Sequence, residues 1–138
     1  MPAQGGAAVQ VRNTTGGLEA FESLDSKFVY YAKGKTPGIW RVPTEGGQLT
    51  QILEQGEESH WALTDQGICF FDFTASASPV LRFLSFTAQK TSLLWRFSRE
   101  TRIDSGDPAL SATSDGRWII YTQVDQMGSD LMLVENFR

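Results

Sequence analysis

Few residues of this chain have the chemistry for a reaction: one histidine, one cysteine and some neighbouring carboxylates. His60 lies in "ESHWAL", and any Ser-His-Asp or Cys-His site would have to use it. No G-x-S-x-G nucleophile motif accompanies it, so His60 reads as a loop residue. Cys69 lies inside the apolar run "ICFFDF" and reads as a small buried hydrophobe. One His and one Cys do not make a zinc site. "DQMGSD" at 125–130 holds Asp125 and Asp130, but lacks the spacing and closing Glu of an EF-hand loop. A polar turn is the better reading. Glu57 and Glu58 are adjacent in a loop, not a pair facing each other across a glycosidic bond. The glycines of "TTGG" and "GGQ" lack the Lys-Ser or Lys-Thr of a phosphate loop. The residues therefore lead to an expectation of no catalytic group, no cofactor and no bound metal.

Composition narrows the partners. The chain has 138 residues, 41% hydrophobic and 20% charged, which suits one globular domain with a core. Its formal charge of -4 argues against a general affinity for nucleic-acid phosphates, which needs a basic face. Aromatics reach 12%, including four Trp, and favour β structure. Cys69, being alone, cannot form an intrachain disulfide. No apolar run approaches the roughly 18 residues of a membrane span. "MPAQGGAAVQ" lacks the basic and apolar regions of a signal peptide. The expectation is a soluble chain, with its compartment left open: cytoplasmic, or extracytoplasmic as part of a larger regulator.

The elements that must position these residues repeat. Asp25 precedes "SKFVYYA", Asp65 precedes "QGICFFD" and Asp115 precedes "GRWIIYT". The steps are 40 and 50 residues. Asp-Gly at Asp115 and Gly116 is turn chemistry, because Asp can bond the backbone two residues on and Gly accepts positive φ. Each unit then reads as about four short strands, one before the aspartate and three after it. The solid apolar run from Ile68 to Phe71 fits a strand covered on both faces. No stretch has a sustained helical period. The chain divides into a strand "AAVQVRN" within 1–17, a first unit over 18–57, a second over 58–106, and a third over 107–138 that lacks its outer strand. Twelve strands result. Phe21 and Trp61 align in the first strand, with Ser111 in that place in the third unit. Phe28, Ile68 and Trp118 align at the start of the second. In "WR" at Trp40-Arg41 and Trp95-Arg96, alternation sends Trp to the packed face and Arg outward.

"SDGRWIIYTQVD…SDLMLV" resembles the Ser-Pro-Asp-Gly-Lys/Arg repeat of the TolB-like β-propellers, a family related to the WD-repeat propellers. Ser114, Asp115, Gly116 and Arg117 carry the match, with Thr113-Ser114 in place of Ser-Pro. Leu24, Asp25, Ser26 and Lys27 match more loosely, and Thr64, Asp65, Gln66 and Gly67 more loosely still. "GIWRVPTEGGQ" resembles the family's third strand and its following turn.

The resemblance implies an all-β chain of three four-stranded antiparallel propeller blades. Three blades are too few to close a ring. A homodimer completed to six blades would close it, with "AAVQVRN" of each copy finishing a blade of the other. In such a blade set, the loops joining second to third strands share a face with those leading into the next first strand. Lys33, Lys35, Thr36, Glu57, Glu58, Ser59, His60, Asp107, Asp125, Gln126 and Asp130 would lie there. Their mixed charge suits a protein or peptide partner better than a lipid or a nucleic acid. The implied role is a non-catalytic scaffold for protein or ligand recognition, of the kind that forms the C-terminal sensing or interaction part of a larger bacterial regulator. The runner-up is an accessory propeller of a peptidase or glycosidase.

Overall fold

Alternating apolar residues and tight polar turns make this chain a succession of antiparallel hairpins. The structure, a computed structural model, describes residues 5, 17–34, 36–74, 77–104 and 108–125. Ten strands and no helix occur among them. The first unit contains β1 (Gly17–Glu22), β2 (Phe28–Lys33), β3 (Thr36–Pro43) and β4 (Thr50–Leu53). The second contains β5 (Trp61–Leu63), β6 (Gly67–Asp72), β7 (Val80–Ser85) and β8 (Lys90–Arg96). Each set forms a four-stranded antiparallel sheet whose strand order is the chain order. The third sheet is a pair, β9 (Leu110–Ala112) with β10 (Ile119–Tyr121), extended by a bridge from Ile103 to Gln123. "AAVQVRN", expected as a strand, and the part of the third unit beyond residue 125 lie outside the described residues.

The hairpin registers set the true equivalences between units. Glu22 faces Val29, Leu63 faces Ile68 and Ala112 faces Ile119. The turn inside the closing pair is four residues long between Ser23 and Phe28 and between Thr113 and Trp118, but only two between Thr64 and Gly67. The second turn is therefore two residues shorter. Gly67, not Ile68, occupies the place of Phe28 and Trp118, and Phe21 corresponds to Ala62 rather than to Trp61. Phe21 and Trp61 instead meet across two sheets, edge to face at 4.9 Å.

With this register the three sheets stack by one rule. Tyr30 and Ala32 of β2 pack with Ile39 and Leu53 against Trp61, Ile68, Phe70 and Leu84 of the second sheet. Cys69 and Phe71, the equivalents of Tyr30 and Ala32, pack with Ala62 and Leu81 against Leu110 of the third sheet, with Ile119 beside it. Ile68 and Ile119 are equivalent and both face the preceding sheet. Each sheet thus presents the same face to the sheet that follows, and the stacking is head to tail. The middle sheet is covered on both sides, so every residue of β6 is buried, as its unbroken apolar run implies. Its fully buried Ile68, Phe70 and Phe71 each stabilise the stack by about 2 kcal/mol through apolar burial.

The end of the stack is different. Trp118 and Ile120, at the positions of Phe28 and Tyr30, are each 69% exposed, whereas Tyr30 is 3% exposed. On β8, Trp95 is 62% exposed, contrary to the packed place expected for it.

Candidate functional site

The turns come first, because they fix the loops at one end of each sheet. Asp25 Oδ1 accepts from the Ser23 hydroxyl at 2.7 Å and from the Lys27 N–H at 3.2 Å. Ser23 Oγ in turn accepts the Phe28 N–H at 3.0 Å. The third unit repeats the network: Asp115 Oδ1 accepts from the Thr113 hydroxyl at 2.6 Å and the Arg117 N–H at 3.0 Å, and Thr113 Oγ1 accepts the Trp118 N–H at 3.1 Å. These donors hold both carboxyls below the ordinary value of 3.8, the hydroxyl of Ser23 or Thr113 contributing most. Ser26 and Gly116 take the same left-handed place, at φ 56° and 70°. Asp65 does not play this part. In its shorter turn Thr64 Oγ1 accepts the Gly67 N–H at 3.1 Å, and the Asp65 N–H goes to the Ser114 carbonyl of the next turn at 2.8 Å.

The opposite end of the sheets carries the surface expected from the loops. Lys33, Gly34, Thr36, Pro37, Glu57, Glu58 and His60 line one open cavity of about 330 Å³ between the first two sheets. Lys33 closes β2 and Thr36 opens β3, while Glu57, Glu58 and His60 belong to the link from β4 to β5. The Lys33 ammonium sits 3.6 Å from the centre of the Trp40 ring, a cation–π contact to a residue outside the cavity lining. Glu57 is exposed and Glu58 half-buried, and both line the same opening as Lys33.

His60 is buried and already engaged. Its Nδ1 lies 2.9 Å from the Glu58 carbonyl and its Nε2 lies 3.1 Å from the Asp104 carbonyl. Which nitrogen carries the proton depends on the tautomer. Phe73 and Phe71 meet the ring edge to face at 5.1 and 6.3 Å. Both partners are carbonyls and only accept, so a neutral ring donates to one of them, and the tautomer protonated at Nε2 is the one that ties the β4–β5 link to Asp104. Cys69 is buried in strand β6, as expected, and desolvation pushes its thiol up to about 11, which keeps it protonated at neutral pH.

Ser59 joins all three sheets, and its partner was not foreseen. Its N–H donates to Glu19 Oε2 at 2.8 Å, and its carbonyl accepts from Ala109 and Leu110, both at 3.0 Å. Ser59 and Glu19 both have positive φ, 67° and 47°. Glu19 sits at the irregularity of β1 between Leu18 and Ala20, which turns its carboxylate out of the strand's alternation. Nothing in "LEAFES" marks that bulge. Asp125 is exposed and accepts from Gln123 Nε2 at 2.6 Å, outside the cavity lining. Lys35, Asp107, Gln126 and Asp130 lie outside the described residues.

Among the described residues, no group of three or more His, Cys, Asp or Glu is placed to hold a metal ion, and no helix is long and apolar enough to cross a membrane. No family model, no curated protein and no solved structure matches this chain.

Proposed function

We propose that this chain is a set of β-propeller blades, closed into a six-bladed ring by a second copy, and that it acts as a non-catalytic scaffold recognising a protein or peptide on its loop face. The observation that carries the reading is the head-to-tail stack. Meander sheets that each offer the same face to the next are what rotation about a propeller axis requires. A stack of this kind leaves one face unfilled at its end, and Trp118 and Ile120 are the large exposed apolar residues there. Exposed apolar area of this kind favours association. The second copy would offer Val29 and Tyr31, the equivalents of Ile68 and Phe70, on the outer face of its first sheet; Tyr31 and Val42 on that face are buried within one chain, so docking there has to displace what covers them.

The proposed recognition surface is the cavity of Lys33, Glu57, Glu58 and His60, because the sheets hold these loops and residues of both charge signs line one opening. An array of soluble peptides of varied charge tests it. Peptides carrying a basic residue beside an acidic one should be retained, and Glu57→Gln with Glu58→Gln should weaken them about tenfold. Retention that ignores the double substitution, or no retention at all, counts against the loop face.

A further inference from the structure

A second cavity lies between the first two sheets, at the end that carries the turns. It has a volume of about 580 Å³, within the roughly 300–1,000 Å³ typical of small-molecule sites. Its origin is the shortened turn. The four-residue turns of the first and third units reach outward, and the two-residue turn at Asp65 and Gln66 falls short between them. The Asp65 N–H closes the gap toward the third sheet by bonding Ser114. No backbone hydrogen bond joins the Ser23–Phe28 turn to the Thr64–Gly67 turn, and the cavity occupies that side.

The lining has three chemistries. Phe28, Tyr30 and Phe86 make an aromatic floor, with Tyr30 and Phe86 stacked at 5.3 Å and 20°. The Arg41 guanidinium lies 4.4 Å from the centre of the Phe28 ring. It is half-buried and has no ion-pair partner among the described residues. A guanidinium that meets a ring through its π face can keep N–H donors for a carboxylate. Glu22 and Asp65 stand at the rim, and neither carboxylate has a hydrogen-bond or ion-pair partner among the described residues. Asp25, also in the lining, is already occupied by Ser23 and Lys27.

We propose that this cavity binds a small amphipathic zwitterion, of the class of α-amino acids with an aromatic or branched apolar side chain. The apolar body would lie on Phe28, Tyr30 and Phe86. Its carboxylate would pair with Arg41, and its ammonium with Glu22 and Asp65. A dianion such as a phosphate ester is disfavoured by the acidic rim, and a plain amine leaves Arg41 unpaired. The site lies inside one chain, so it needs neither the second copy nor the loop face.

Titration of the full chain with three probes tests the assignment, read by calorimetry and by amide shifts in nitrogen-15 spectra. The probes are phenylalanine, N-acetylphenylalanine and phenylalanine amide. Phenylalanine should bind most tightly, with each blocked probe about tenfold weaker, since each loses one charged partner. The shifts should concentrate in residues 23–28 and 63–65. The Asp65 carboxylate has no hydrogen-bond or ion-pair partner among the described residues, so in Asp65→Asn the fold should persist while phenylalanine weakens severalfold; Arg41→Gln should weaken phenylalanine and N-acetylphenylalanine but not the amide. Equal binding of all three probes, shifts elsewhere, or no binding of phenylalanine would overturn the proposal.

Discussion

Ser26 and Gly116 occupy one turn position with one backbone conformation, yet only Gly116 has a residue suited to it. A left-handed residue with a Cβ costs about 1 kcal/mol or more, and glycine returns part of that as flexibility in the unfolded chain. Ser26→Gly should therefore stabilise by about 0.5 kcal/mol in a urea titration, with an unchanged slope. The aspartates beside these residues make the fold sensitive to acid. Their carboxyls titrate lower when folded than when unfolded, so the ionised form favours folding. That contribution is present above the ordinary value of 3.8 and is lost as pH falls through the lower folded values. The melting temperature should drop below about pH 4. Asp25→Asn combined with Asp115→Asn should flatten that acid limb; a limb of unchanged steepness would place the acid sensitivity elsewhere.

At the scale of elements, the shortened turn decides the register. Gly67 stands where the other units carry Phe28 and Trp118, because β7 passes so close that a Cβ would collide with the Leu84 carbonyl and come within 2.6 Å of the Phe83 ring. Gly67→Ala should destabilise by about 3 kcal/mol, as overpacking against backbone does, measured by thermal or urea unfolding. Much of the strand pattern was legible beforehand. Asp25 and Asp115 marked their turns because the Asp hydrogen bonds are local, and the apolar run of β6 announced a strand buried on both faces. The equivalence of Phe28, Ile68 and Trp118 was not legible. An aligned aspartate hides a two-residue deletion when Thr64 takes over the hydrogen bonding, and only the cross-strand register exposes the slip. The site was legible in the same partial way. Lys33, Thr36, Glu57, Glu58 and His60 follow from which loops share an end of the sheets. Glu19 does not, because a bulge with φ 47° leaves no mark in the residue types around it. The second cavity was hidden for the same reason as the register: it is the space left by the missing turn residues.

At the scale of the molecule, the order of faces matters more than any single contact. Sheets that stacked by alternating faces would bury both ends in pairs and stop. Head-to-tail stacking presents the same face at every step, and repetition of the same contact either closes or continues. The exposed pair Trp118 and Ile120 sits at the positions where the first sheet carries Phe28 and Tyr30, whose side chains pack onto the second sheet. Association through this face would bury both and raise the mass in solution. Light scattering coupled to size-exclusion chromatography of the 138-residue chain at micromolar concentration reads this directly. The expected mass is about 31 kDa, twice the 15.3 kDa of one chain, falling to that of one chain in Trp118→Glu. A mass of 15.3 kDa for the unaltered chain, or a dimer indifferent to Trp118→Glu, would show that the exposed face does not close a ring with a second copy.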